Sequence, residues 1–313
     1  MRSKVLQAVY AGRCEEVDNI GVSRDFDYHI GKLNELGVLQ VLLLPRIVEA
    51  GQGVMEEGKK KFRPSEEERN PSMKLVENEF IRRMADNFEL KKHAEKWGGC
   101  WDLHEDLVRE AFLEFRKRDE YKKYVNDEEH TFEKDKEFAI LMFRYLMNRE
   151  ALRTVLGERS LLWEDDFDQI AQYNFMMLKT LTEEDFDEAM MWPVMYDKRV
   201  EKDEADMVFA RQLLRDTMAL RDEAEELIKS HLQGWEFERV SRMDVLLINM
   251  AVAELTGCPS IPEKVTVDEY IELSKEFSSD RSKLFINGIL DKLVSELRSK
   301  GRINKSGRGL IDN

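Results

Sequence analysis

The sequence predicts an all-α protein, a helical bundle. Three observations carry this expectation. Apolar residues recur at steps of three and four along most of the 313-residue chain, the spacing that puts one stripe on a helix. Glycine and proline are scarce, at 16 and 6, too few for a loop-rich β fold. Charged residues make up 36% of the chain, above the roughly 25% of ordinary soluble domains, a surplus that suits long solvated helix faces.

The elements run in order along the chain. Val5, Leu6 and Val9 seed a helix over 3–10, flanked by Arg2, Lys4 and Arg13 with no acid before Glu15. A helical pattern covers 26–44 and continues past Pro45 with a break. Residues 59–71 (KKKFRPSEEERNP) read as a charged, proline-bounded linker. Helices are predicted over 73–96, 102–124, 133–156, 164–181 and 183–192, the last stopped by Trp192-Pro193, because the residue before proline is pushed out of the α region.

From 204 to 232 the pattern sharpens. Ala210, Leu213, Thr217, Leu220, Ala224 and Leu227 form one narrow apolar stripe. Ser241 with Asp244 reads as the capping box of the next helix, and Gly257 with Pro259 as its stop. Thr266 with Glu269 reads as a second capping box. The last helix is predicted over 280–298, burying Ile286, Leu290, Leu293 and Leu297. Residues 299–313, rich in glycine and basic residues, are predicted to be a disordered tail. The division is thus 1–199, 200–298 and 299–313. The sequences Glu133-Lys134-Asp135 with Trp163, and Glu201-Lys202-Asp203 with Trp235, echo each other at an interval of about 70 residues. A duplication and a chance likeness between two helical hairpins both account for that.

Composition excludes several roles. A net charge of −15 argues against broad, sequence-blind binding to nucleic acid or to an anionic membrane; such binding would need a local basic patch. The cysteines, Cys14, Cys100 and Cys258, lie far apart without a CxxC pair, which fits a reducing, cytoplasmic setting. No secretory leader pattern opens the chain, and the longest apolar run, Val38 to Leu44, is too short to span a membrane. His93, Cys100 and His104 are irregularly spaced and too few for a zinc site. The acidic run from Glu183 to Glu188 lacks the glycine turn of a calcium loop and reads better as an acid-rich helix start. No phosphate-cradling glycine loop or nucleophile elbow is present. The sequence therefore calls for no catalytic residue, no metal and no cofactor.

The richest stretch runs from Trp235 to Leu297. It contains Trp235, Glu238-Arg239-Val240, Asp244, Ala251, Glu254-Leu255, Ile261-Pro262, Lys264-Val265 and Glu269. It continues with Ile271-Glu272-Leu273, Lys275, Phe277, Ser282, Phe285, Asn287-Gly288 and Leu290-Asp291-Lys292. This ordered set resembles the transcription antitermination factor family NusB. The opening residues, Arg2 to Tyr10, are similar to that family's first helix. The resemblance implies NusB-like bundles and a non-catalytic, RNA-binding role. It also implies a small-subunit ribosomal protein of the NusE type as partner, a boxA-type element in nascent RNA as ligand, and a place in the antiterminating RNA polymerase complex. Three departures stand out. The family's basic N-terminal cluster is represented by Arg2 and Lys4 alone, Asn249 stands where arginine is common, and Ala253 where tyrosine is common. The segment from about 24 to 202 resembles the extra helices of long family members, and its role is not legible.

Several residues are candidates for contact. Arg2 and Lys4 are either phosphate contacts or a solvated basic turn. Tyr10 either stacks on an unpaired base or joins the core. Arg281, Ser282 and Lys283 open the last helix, whose exposed N–H groups and dipole favour phosphate; by resemblance this start faces RNA, with Phe285 base-facing or core. Asn287-Gly288 reads as a close helix approach at Gly288 with Asn287 bonded to nearby backbone, in preference to a ligand contact. Glu238 and Asp244 lie where the resemblance puts the basic ribosomal partner, and an acidic face would steer that association. The chief competing reading is a helical interaction scaffold whose RNA binding has lapsed; an accessory domain of an RNA methyltransferase is a third. On the RNA-binding reading, Lys283→Glu with Arg2→Glu lowers boxA affinity at unchanged thermal stability, as titration and melting would measure.

Overall fold

The computed structural model describes residues 1–160, 163–186, 192, 201–232, 236–279 and 281–310. Among the described residues there are sixteen α-helices and no strand. The chain divides into two compact units, one made of residues 1–29 with 198–313 and the other of residues 30–197. The expected helix over 183–192 is described only in part, as a 3-10 turn at Glu184–Phe186. Pro193, Trp235 and Asp280 lie outside the described residues.

The helix α1, Arg2–Cys14, begins the first unit, and α2, Asn19–Lys59, runs from it into the second. The expected break at Pro45 is not there. Proline removes one N–H, but Leu43, Leu44 and Ile47 are all fully buried on either side of it, and packing rather than propensity carries most helical stability. By length and composition alone α2 could cross a membrane, which the short apolar runs of the sequence did not suggest. More than half of its most apolar window, 56%, is buried inside the protein, as suits a core helix.

The second unit is organised on α2. Trp101 donates its indole N–H to the Leu39 carbonyl at 2.8 Å, and Trp163 donates to that of Lys32 at 3.0 Å. Gln40, fully buried, donates to the Phe167 carbonyl at 3.1 Å and accepts from Asn174 at 3.0 Å.

The sequence-predicted helices of this unit are real but subdivided. The 59–71 linker holds a short helix, α3 (Glu66–Arg69), closed by a Ser65/Glu68 capping box. The 73–96 helix is two, α4 (Glu79–Asp86) and α5 (Phe88–Trp97), because Asn87 turns to ψ 126 and its side chain caps α5 at the Leu90 N–H. The 102–124 segment resolves into α6 (Gly99–Asp102), α7 (Glu105–Phe115) and α8 (Asp119–Asn126). The 133–156 segment resolves into α9 (Phe132–Met147) and α10 (Glu150–Arg159), and α11 (Phe167–Thr180) follows. A buried knot joins α4, α8 and α9: Tyr124 donates to Asp135 at 2.6 Å while Asn78 donates to the Tyr124 hydroxyl at 2.9 Å. Burial and the Asp135 carboxylate push the Tyr124 phenol well up.

The first unit is a bundle around α14 (Arg242–Gly257). Every residue of α14 from Asp244 to Leu255 is buried, so it is enclosed all round, the mark of a central helix. Around it pack α1, α12 (Glu201–Ala219), α13 (Arg221–His231), α15 (Glu263–Phe277) and α16 (Ser282–Ser299). Gln212 donates to the Gly257 carbonyl and Asn249 to that of Thr217, which makes α12 and α14 antiparallel. The predicted stripe is buried, except that Leu220 is half-buried where α12 ends and α13 begins. Ile286, Leu290, Leu293 and Leu297 are buried on α16 as expected.

Four local expectations differ. Ser241 caps α14 through the Met243 N–H, and Asp244 is used elsewhere. Thr266 is inside α15, which starts at Glu263 after Pro262, so it caps nothing. Gly288 is exposed, and a Cβ there would meet nothing within 4 Å, so no helix approaches it. The expected disordered tail folds back as far as Leu310. Arg302 pairs with Glu223, and Lys305 donates to the Cys258 carbonyl at 3.0 Å. The Ser306 backbone N–H donates to the Pro259 carbonyl at 2.9 Å. These bonds hold the segment without a large apolar surface.

The three thiols differ in reach. Cys14 is exposed, whereas Cys100 and Cys258 are buried. Burial, with the Glu254 carboxylate nearby, pushes the Cys258 thiol up to about 11. Iodoacetamide at pH 8 should therefore modify Cys14 in the native protein and spare the other two until denaturant is added. Mass spectrometry of the labelled peptides checks this.

Candidate nucleic-acid interface

The opening helix is fixed by one buried acid. Glu254, near the C-terminal end of α14, is fully buried. Its carboxylate accepts from Arg2 at 2.7 and 2.8 Å, from the Thr266 hydroxyl at 2.9 Å and from the Tyr270 hydroxyl at 3.1 Å. Arg2 also reaches Glu269 at 3.2 Å, and its guanidinium lies 5.2 Å from the centre of the Phe209 ring. Burial works against the Arg2 charge, but the hydrogen bonds and charge of Glu254 outweigh it and hold the guanidinium firmly protonated. Burial and the same carboxylate keep the Tyr270 phenol neutral, well above its ordinary range.

Arg2 is thus a bolt between α1, α14 and α15, not a solvated cation. Lys4 is also buried and donates to Gln7 at 2.9 Å. Neither is offered to solvent as the sequence reading expected. Tyr10 is 38% exposed.

The other candidate residues gather at the opposite end of α14. Asp244 is buried, accepting from Ser278 at 2.5 Å and Ser282 at 2.9 Å. It therefore anchors the start of α16 and is not part of an exposed acidic face. Ser282 is likewise committed to this anchor. Arg281 and Lys283 are exposed, Phe285 is half-buried, Leu284 is 78% exposed, and the first turn of α16 contains no acid. Glu238 is exposed in a 3-10 turn, Phe237–Arg239.

The two ends can be placed along α14. Asp244 and Glu254 are ten residues apart, which is about 15 Å of helix. Arg2 and the α16 start are therefore not neighbours. The direction of α1 brings a different residue toward that start. Arg2 packs by Phe209 in α12, whereas Arg13 shares a cavity with Met218, at the end of that helix, and with Arg221 just beyond it. So α1 runs parallel to α12 and antiparallel to α14, and Tyr10, not Arg2, lies toward the Asp244 end. The residues missed from sequence are Glu254, Thr266 and Tyr270. Their one signal is an acid inside an otherwise apolar run, VLLINMAVAEL.

This geometry defines the class: an all-α bundle, built on a buried central helix and completed by the chain's own first helix. Within that class, residues 167–295 match the model of the NusB family. That match covers less than half of the chain. A transcription antitermination protein NusB of Salinibacter ruber is 44% identical over 87 residues, which are 28% of this chain and 54% of that protein. One of the same name from Chloroherpeton thalassium is 44% identical over 85 residues, 27% of this chain and 40% of that protein. The chain thus spans about half the length of the curated relatives it matches. No solved structure matches the chain.

The Glu254 network overturns the expectation that charge reversal at Arg2 leaves stability unchanged. Removing one partner of a buried pair leaves the other charge unpaired, at a cost of about 3–5 kcal/mol. Arg2→Met should lower unfolding stability by that order in urea titrations, and Thr266→Val by about 1–2 kcal/mol.

Proposed function

We propose that this protein is a transcription antitermination factor of NusB type. It binds boxA-type nascent RNA together with a NusE-type small-subunit ribosomal protein, as part of the antiterminating RNA polymerase complex in the cytoplasm, and it is not an enzyme. The observation that carries this reading is the 44% identity to proteins named for antitermination. The exposed Arg281 and Lys283 at the start of α16 support an RNA-facing role, because exposed cations contact phosphate.

On this reading the RNA path uses Arg281, Lys283, Phe285 and Tyr10, with Ser282 and Arg2 as positioning residues and Lys4 at most a peripheral cation. Exposed Glu238 faces the basic ribosomal partner, and Asp244 acts through the helix it anchors. Residues 1–29 and 198–310 form the binding unit, and the helices between them are an insertion.

A second reading, an interaction scaffold without RNA binding, draws support from the internal use of Arg2 and Lys4. Titration of a labelled boxA oligonucleotide with this protein and its ribosomal partner, at two salt concentrations, separates the two. Lys283→Glu should weaken RNA binding, with the slope of log affinity against log salt falling by about 0.7 per lost phosphate contact, and leave partner affinity unchanged. Equal RNA affinity in wild type and variant would sink the proposed surface.

A further inference from the structure

A second polar feature of the first unit is independent of that reading. α1 ends at Cys14 and α2 begins at Asn19. Between and beside them lies a cavity of about 420 Å³, lined by Arg13, Glu16, Val17, Asn19, Met218 and Arg221 among others. Its volume is within the range of small-molecule sites.

Two arginines face this cavity. One terminal nitrogen of Arg13 is shielded from solvent and has no hydrogen-bond partner. Burial pushes the Arg13 guanidinium down from its ordinary range, and the Arg221 charge pushes it further, against a weaker pull from Glu225. Other part-buried arginines have an acid partner: Arg2 pairs with Glu254 and Arg149 with Glu114. Acids outnumber basic residues in this chain, 64 to 49, so a general shortage of acids does not explain two cations placed side by side. A shielded polar group left unpaired costs on the order of 1–3 kcal/mol.

The acids nearby are otherwise engaged or peripheral. Glu225 accepts from the Arg221 Nε at 3.2 Å, and Asp18 accepts from the Gly21 N–H at 2.7 Å. Glu16, on the cavity wall, is exposed. It also has a φ of 56°, as the left-handed residue that ends α1, where the Val17 N–H donates to the Gly12 carbonyl at 2.9 Å. Asn19, the first residue of α2, lies on the cavity wall, and the α2 start itself is capped by Asp18.

The geometry points to a phosphate-binding site between Arg13 and Arg221, with Val17 and Met218 giving an apolar wall for the rest of a nucleotide-sized ligand. The planar guanidinium of Arg13 suits the oxygens of a phosphate, which two arginines hold better than one. The same phosphate chemistry comes from a free mononucleotide or from the backbone of RNA.

The test uses the full chain, with melting and calorimetric titration in inorganic phosphate, AMP, adenosine and a single-stranded oligoribonucleotide, each against chloride at equal ionic strength. Phosphate and AMP should raise the melting temperature and adenosine should not. Arg13→Gln and Arg221→Gln should each weaken AMP affinity at least about tenfold, the loss expected for one charge-assisted hydrogen bond. Ligand-free Arg13→Gln should melt no lower than wild type, because it removes an unpaired, shielded charge. Oligonucleotide affinity that falls in parallel identifies RNA as the source, and affinity that is unchanged while AMP binding is lost identifies a free nucleotide. Equal melting in phosphate and chloride, retained AMP affinity in both variants, or a ligand-free Arg13→Gln that melts lower would each overturn the proposal.

Discussion

The fully buried carboxylate of Glu254 constrains the whole first unit, because a charge removed from water must be met on every side. Arg2 meets it in two hydrogen bonds, and Thr266 and Tyr270 fill its remaining acceptor positions. Three helices, α1, α14 and α15, are joined at one point, with Phe209 of α12 against the guanidinium. An ion pair of this kind is weak evidence for added stability, since apolar residues of similar size often do as well. Its stronger effect is on geometry: α1 has one place and one direction in the bundle.

That direction settles what the surface has left to offer. A basic start to the chain invites assignment as a solvated cluster, but its two cations are taken up inside. The exposed cations of the candidate interface are at the start of α16, which Asp244 holds through Ser278 and Ser282. The two acids of α14 thus act alike at its two ends. One fixes the first helix and the other fixes the last. A protein of net charge −15 gains little from sequence-blind attraction to nucleic acid.

The fold class and the apolar faces were legible because they rest on periodicity. The stripe from Ala210 to Leu227 and the buried side of α16 are read straight from spacing. Helix breaks were not, because they depend on single residues such as Asn87, whose side chain can cap or be solvated according to its neighbours. Thr266 shows the same limit. Its spacing to Glu269 matches a capping box, yet its hydroxyl serves Glu254, twelve residues earlier. Exposure at the candidate site was the least legible quantity. Arg2 and Lys283 look alike in the sequence, and only long-range packing separates a structural bolt from a surface charge. Gly288, read as a helix contact, faces open space for the same reason.

The pairing of Arg2 with Glu254 spans 252 positions of the chain. At roughly 5–20 residues per second of synthesis, the arginine is made roughly 13–50 s before its acid. During that interval the first helix has an apolar face and no bundle to cover it. The helices of the second unit are all synthesised within the same interval, so the nascent first helix waits while a separate unit is completed. Loop closure over such a distance is slow relative to local helix docking, so the first helix is captured only after α14 has been made.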